Sequence, residues 1–72
     1  MVAESKQEKF RRIASARTQR ILEDLRLLGN CSNTGNYAYT EADINKIFNE
    51  IGREIKRVRN LFEKSDKQKF SL

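Results

Sequence analysis

The chain contains no histidine, no proline and a single cysteine, Cys31. Each absence removes a class of structure or chemistry. Without histidine, and with one thiol, a zinc site within one chain lacks its usual ligands. An internal disulfide staple is excluded, and a lone thiol fits a reducing compartment better than a secreted one. Without proline, nothing in the sequence interrupts a long helix by removing a backbone donor. No run of about 18 apolar residues occurs, so no membrane-spanning helix and no membrane partner are expected. The opening residues, MVAESKQEKFRR, lack the apolar centre of a signal peptide. The expected location is the cytoplasm. A P-loop, a Gly-rich dinucleotide loop and a metal-ligand cluster are also missing, so the sequence predicts no enzyme, no catalytic residues, no metal and no cofactor.

What remains is short, charged and helical in pattern. The 72 residues suffice for one domain at most, with a small core. Fifteen Lys+Arg stand against ten Asp+Glu, for a net charge of +5. A basic excess on so small a surface suits an anionic partner such as DNA or RNA, although many helical proteins carry such a charge without one.

Two helical segments are predicted. In the first, from about residue 4 to 28, Phe10, Ala14, Ile21, Leu25 and Leu28 recur at three- and four-residue steps. Arg17 occupies the missing apolar place. Either its stem packs while its head reaches water, or it makes a register-setting pair or a partner contact. Gly29 and Asn30 follow as a helix stop, because both tolerate the left-handed conformation.

The second segment, about residues 40 to 64, opens at YTEADI. Thr40 is the N-cap, Asp43 can reach back to it, and Tyr39 can staple onto Ile44. Glu41 and Asp43 place negative charge at the positive end of the helix dipole. Ile44, Phe48, Ile51, Ile55, Val58 and Phe62 then recur at steps of 4, 3, 4, 3 and 4, a coiled-coil-like seam. Ile47 and Leu61 widen it. Gly52 beside the seam marks either a close helix approach or a tolerated weak point. Residues 65–72 form a polar tail expected to fray, as are residues 1 to about 5.

The predicted fold class is therefore all-α: an antiparallel two-helix hairpin with a loop at about residues 29–39. Two helices leave apolar surface over. A homodimeric four-helix bundle, or docking on a larger partner, would cover it.

Two surfaces carry candidate function. In an antiparallel hairpin the start of the first helix lies beside the end of the second. Arg11, Arg12 and Arg20 would then join Arg53, Lys56, Arg57 and Arg59 in a basic end fit for phosphates, whose neutralisation releases counterions. The bland alternative is a solvated face balanced by Glu50–Arg53 and Glu54–Arg57 at i,i+3 spacing. The other surface is the connector, GNCSNTGNYAY. Asn30, Asn33 and Asn36 are turn formers that can also recognise a partner, and Tyr37 is the freer aromatic. With Ile47 and Ile55 they form the candidate partner-binding set. Cys31 has no thiol or imidazole partner and reads as buried or incidental.

The stretch FRRIASARTQRILEDLRLLGNCSNTGNYAYTEADINKIFNEI resembles a group of small proteins from plasmids and integrative mobile elements of Gram-positive bacteria. The likeness rests on a helix ending in RLLGNCSN, a short spacer, the helix start NYAYTE and the motif KIF, across about residues 10–62. It implies a cytoplasmic protein of a mobile element, with a protein partner encoded by the same element. A dimerising helical hairpin is also the architecture of RNA-binding plasmid copy-control proteins, an analogy of fold alone.

Overall fold

A computed structural model of the chain describes residues 3–69, with side chains described through residue 64. The all-α class expected from the sequence is what the structure has. Two helices, α1 (Lys6–Asn30) and α2 (Glu41–Lys69), are joined by a loop, and no strand occurs among the described residues. The chain divides into two units, Met1–Ala38 and Tyr39–Leu72, with one helix in each.

In the first unit α1 runs for 25 residues, about 38 Å at 1.5 Å per residue. Ser5 caps it: its backbone is extended, and its Oγ accepts from the Glu8 N–H at 3.1 Å. The Ser5 carbonyl then accepts the first helical bond, from Lys9 N at 2.9 Å. The start thus lies two residues later than the expected residue 4. The cap was legible in SKQE, which has the Ser-x-x-Glu spacing of a capping box.

The far end of α1 differs from expectation. Gly29 and Asn30 are both helical, and no described residue has a positive φ. The helix ends instead by tightening. Cys31, at the C-cap with φ −72° and ψ −6°, donates to Leu28 O at 3.0 Å. Ser32 donates to Gly29 O at 3.1 Å, and Asn33 to Asn30 O at 3.4 Å. These i→i+3 bonds satisfy the last carbonyls, so a left-handed residue is unnecessary. Cys31 is exposed rather than buried, with its Sγ 4.0 Å from Leu27 O.

The loop is built on Asn33. Its side-chain Oδ1 accepts from Gly35 N at 2.9 Å, an Asx-type turn. Its carbonyl accepts from Asn36 N at 3.1 Å and Tyr37 N at 3.0 Å. A Cβ on Gly35 would lie 3.1 Å from Asn33 Oδ1, so glycine suits the tight return of the chain.

In the second unit α2 is 29 residues long, about 44 Å. The reciprocal capping box is complete: Asp43 N donates to Thr40 Oγ1 at 3.1 Å, and Thr40 N donates to Asp43 Oδ2 at 2.9 Å. The Asp43 carboxyl is held below its ordinary value, first by the Thr40 backbone N–H and second by the Thr40 hydroxyl. The helix continues to Lys69, past the end expected near residue 64, because nothing in EKSDKQK breaks it. The part of the expected frayed ends at residues 1–2 and 70–72 lies outside the described residues.

No side chain is buried among the described residues. On α2, Ile44, Ile47 and Ile51 are half-buried, while Phe48 and Ile55 stay 56% and 58% exposed. On α1, Ile13, Ala14 and Leu28 are half-buried and Phe10 is 54% exposed. A Cβ at Gly52 would meet nothing within 4 Å. Arg17 is exposed, in keeping with a head group that reaches water.

Candidate nucleic-acid interface

The seven cations expected to contact phosphate are all exposed, and they fall into two sorts. Arg12, Arg53, Arg57 and Arg59 each bond a nearby carboxylate. Arg12 forks onto Glu4, with Nε to Oε2 and Nη2 to Oε1 both at 2.9 Å. Arg57 forks onto Glu54, with Nε at 3.1 Å from both carboxylate oxygens. Arg53 Nη1 donates to Glu50 Oε1 at 3.0 Å, and Arg59 Nε to Glu63 Oε1 at 3.1 Å. Arg11, Arg20 and Lys56 show no carboxylate bond among the described residues.

The arginine bonds hold the Glu4 and Glu54 carboxyls below their ordinary value of 4.5, and Arg12 and Arg57 are correspondingly raised. A fifth pair, Glu23 with Arg26, behaves the same way. All five pairs lie at the surface, where water and salt weaken them. A phosphate can therefore replace the carboxylate at modest cost.

The helical period places these residues unevenly. On α1, Arg11 and Arg12 point about 100° apart and Arg20 points about 80° further round, so the three spread over half the helix. On α2, Arg53, Lys56 and Arg57 fall within about 100° of arc, and Arg59 lies apart, towards the apolar stripe.

A tighter grouping appears when the polar residues of α2 through residue 64 are placed by the same period. Lys46, Asn49, Arg53, Lys56, Asn60 and Lys64 occupy an arc of about 80°, and all six are exposed. Among the described side chains, no carboxylate falls inside the arc. Glu50 and Glu63 border it, one bonded to Arg53 and the other to Arg59. The arc lies almost opposite the seam of Ile44, Phe48, Ile51, Ile55, Val58 and Phe62. Reading the cations as clusters along the chain overlooked Lys46, Asn49, Asn60 and Lys64. The signal that finds them is the three- and four-residue step applied to polar positions.

The candidate partner-binding residues divide likewise. Asn30 ends α1, and Asn33 and Asn36 sit in the loop, where Asn33 spends its side-chain oxygen on Gly35 N. Tyr37 is 52% exposed. Ile47 and Ile55 stand on α2.

No group of three or more metal-ligating side chains occurs among the described residues. Among them, too, no helix is long and apolar enough to cross a membrane. Comparison with protein-family models, with curated proteins and with solved structures found no match.

Proposed function

We propose that the chain is a non-enzymatic accessory or regulatory protein of a mobile genetic element, acting in the cytoplasm and binding nucleic acid or a nucleoprotein complex through the cations of its helices. The observation that carries this reading is the state of those cations. Among the described residues, Arg11, Arg20 and Lys56 are exposed without a carboxylate bond, and Arg12, Arg53, Arg57 and Arg59 are held by surface pairs. Such a surface gives up little on meeting phosphate, and each phosphate neutralised releases counterions. The assignment to a mobile element rests on the resemblance of RLLGNCSN, NYAYTE and KIF.

In this reading the basic residues of each helix contact phosphate. A second copy completes a four-helix bundle over the seam of α2. The exposure of Phe48 and Ile55 supports a covering partner, since so continuous an apolar stripe is seldom left to water. The test is binding of a short DNA duplex, a single strand and an RNA at two salt concentrations. Replacing Arg12 and Arg57 together by glutamine should weaken binding and lower its salt slope by about two phosphate contacts. Absence of binding to every nucleic acid at low salt overturns the reading.

The same exposed stripe favours a second reading, a protein–protein adaptor or inhibitor. It would dock Ile47 and Ile55, together with Asn30, Asn33, Asn36 and Tyr37 of the connector, on another protein of the element. Retention of a protein partner after nuclease treatment, unchanged when the arginines are removed, decides for it.

A further inference from the structure

We propose that the carboxylate-free arc of α2 is a reading surface for the major groove of duplex DNA, with Asn49 and Asn60 contacting adenine edges and Lys46, Arg53, Lys56 and Lys64 contacting the flanking phosphates. This deepens the nucleic-acid reading above and rests on it.

Four observations select duplex DNA from the nucleic acids. The first is geometric. The arc lies along one uninterrupted α-helix, and a B-form major groove admits a helix, whereas the major groove of A-form RNA is too deep and narrow to be read by side chains.

The second concerns aromatics. Single strands are held by rings on which bases stack, together with a basic groove. The two described phenylalanines of α2, Phe48 and Phe62, belong to the apolar seam, and the arc itself contains none. It can bond and attract, but it offers no stacking platform.

The third is composition. Asparagine is a poor helix former, because its amide competes for backbone bonds. Yet Asn49 and Asn60 stand exposed in the helix interior, on the same narrow arc as four cations. Neither amide is needed as a cap at those positions. The asparagine amide can donate to adenine N7 while accepting from N6, which is the bidentate pairing that distinguishes adenine in the major groove.

The fourth is spacing. Asn49 and Asn60 are eleven residues apart. At 1.5 Å per residue that is about 16 Å along the helix, or about five base-pair steps of 3.4 Å. Two adenine-bearing positions about five base pairs apart are the expected specificity. The arc also lies almost opposite the seam, so covering the seam with another helix leaves the arc open to DNA.

The test uses the full chain and fluorescence anisotropy. A site is first selected from a random DNA duplex pool. It is then compared with a scrambled duplex, the matching RNA duplex and the matching single strand, each at two salt concentrations. The selected DNA duplex should bind at least about tenfold more tightly than the RNA duplex or the single strand. Asn49→Ala with Asn60→Ala should reduce the preference for the selected site over the scrambled one by about tenfold or more, at an unchanged salt slope. Lys46→Gln, Lys56→Gln and Lys64→Gln together should weaken all duplexes alike and lower the salt slope by about three contacts. Circular dichroism checks that the variants stay helical; the alanine changes raise helix propensity, so lost binding would not reflect unfolding.

Equal or tighter binding of RNA or single strands overturns this proposal and leaves the broader nucleic-acid reading intact. So does site preference that survives the double asparagine change. Absence of binding to any nucleic acid overturns both.

Discussion

Replacing Gly52 by alanine tests the surroundings of the α2 seam by the sign of one effect. Gly52 lies in the interior of α2, and a Cβ there would meet nothing within 4 Å. The added methyl therefore carries no steric penalty in the chain as described. What remains is backbone entropy, for which Gly→Ala in a helix interior is worth about 1 kcal/mol in favour of the helix. That is about a fivefold shift in the local helix–coil equilibrium. The 222 nm circular dichroism signal of Gly52→Ala should exceed that of the parent at equal temperature, and its loss on heating should move upward. Sedimentation at several concentrations should be run beside it. In a heptad seam Gly52 neighbours Ile51, so a second helix seated closely over it would collide with the methyl group. Lower helicity, or weaker self-association, refutes the reasoning, because either result requires an atom close to Gly52 in the working assembly.

Thr40→Ala removes the cap of α2 and should cost about 1 kcal/mol, seen as fraying of amides 41–44 in hydrogen exchange; protection equal to the parent contradicts the capping geometry. Acid should loosen the same helix start. The Asp43 carboxyl is held below its ordinary 3.8, so its bond to Thr40 N stabilises the folded state above that value and is lost as pH falls through the lower folded one. A carboxyl titration followed by NMR should place the Asp43 midpoint below 3.8, and a midpoint at or above it would count against the bond. Cys31 is exposed, so a maleimide should label it fully without denaturant, and protection of the thiol in the native state would indicate that a partner covers the end of α1.

Much of the fold was legible because its signals are local. Thr40 with Asp43 reads as a capping box, and both bonds are present. The i,i+3 pairs Glu50–Arg53 and Glu54–Arg57 follow from helix spacing alone. The expected start of α1, near residue 4, differs by two residues because the apolar period begins only at Phe10 and leaves the first turn unmarked, whereas the Ser5 cap fixes it. The end of α1 was misread because Gly29-Asn30 has the composition of a left-handed stop, while the chain satisfies the same carbonyls through i→i+3 bonds. The length of α2 was underestimated for the converse reason. Past Phe62 there is no apolar period to follow, yet nothing there stops a helix. At the candidate interface, Glu4 bonds Arg12 from eight residues away, ahead of the helix cap, a separation that no helical spacing rule anticipates.

The side-chain and turn bonds named above span eight residues or fewer, from Ser5–Glu8 through Glu4–Arg12 to Arg59–Glu63. Forming them demands little loop closure, so each described helix forms through the local contacts typical of the fastest folders. Helix–coil relaxation of such segments takes about a microsecond or less. Any phase slower than milliseconds in a refolding trace, with no proline in the chain to cause it, would belong to association. Stopped-flow at two protein concentrations would then separate folding from assembly, since only the second depends on how often molecules meet.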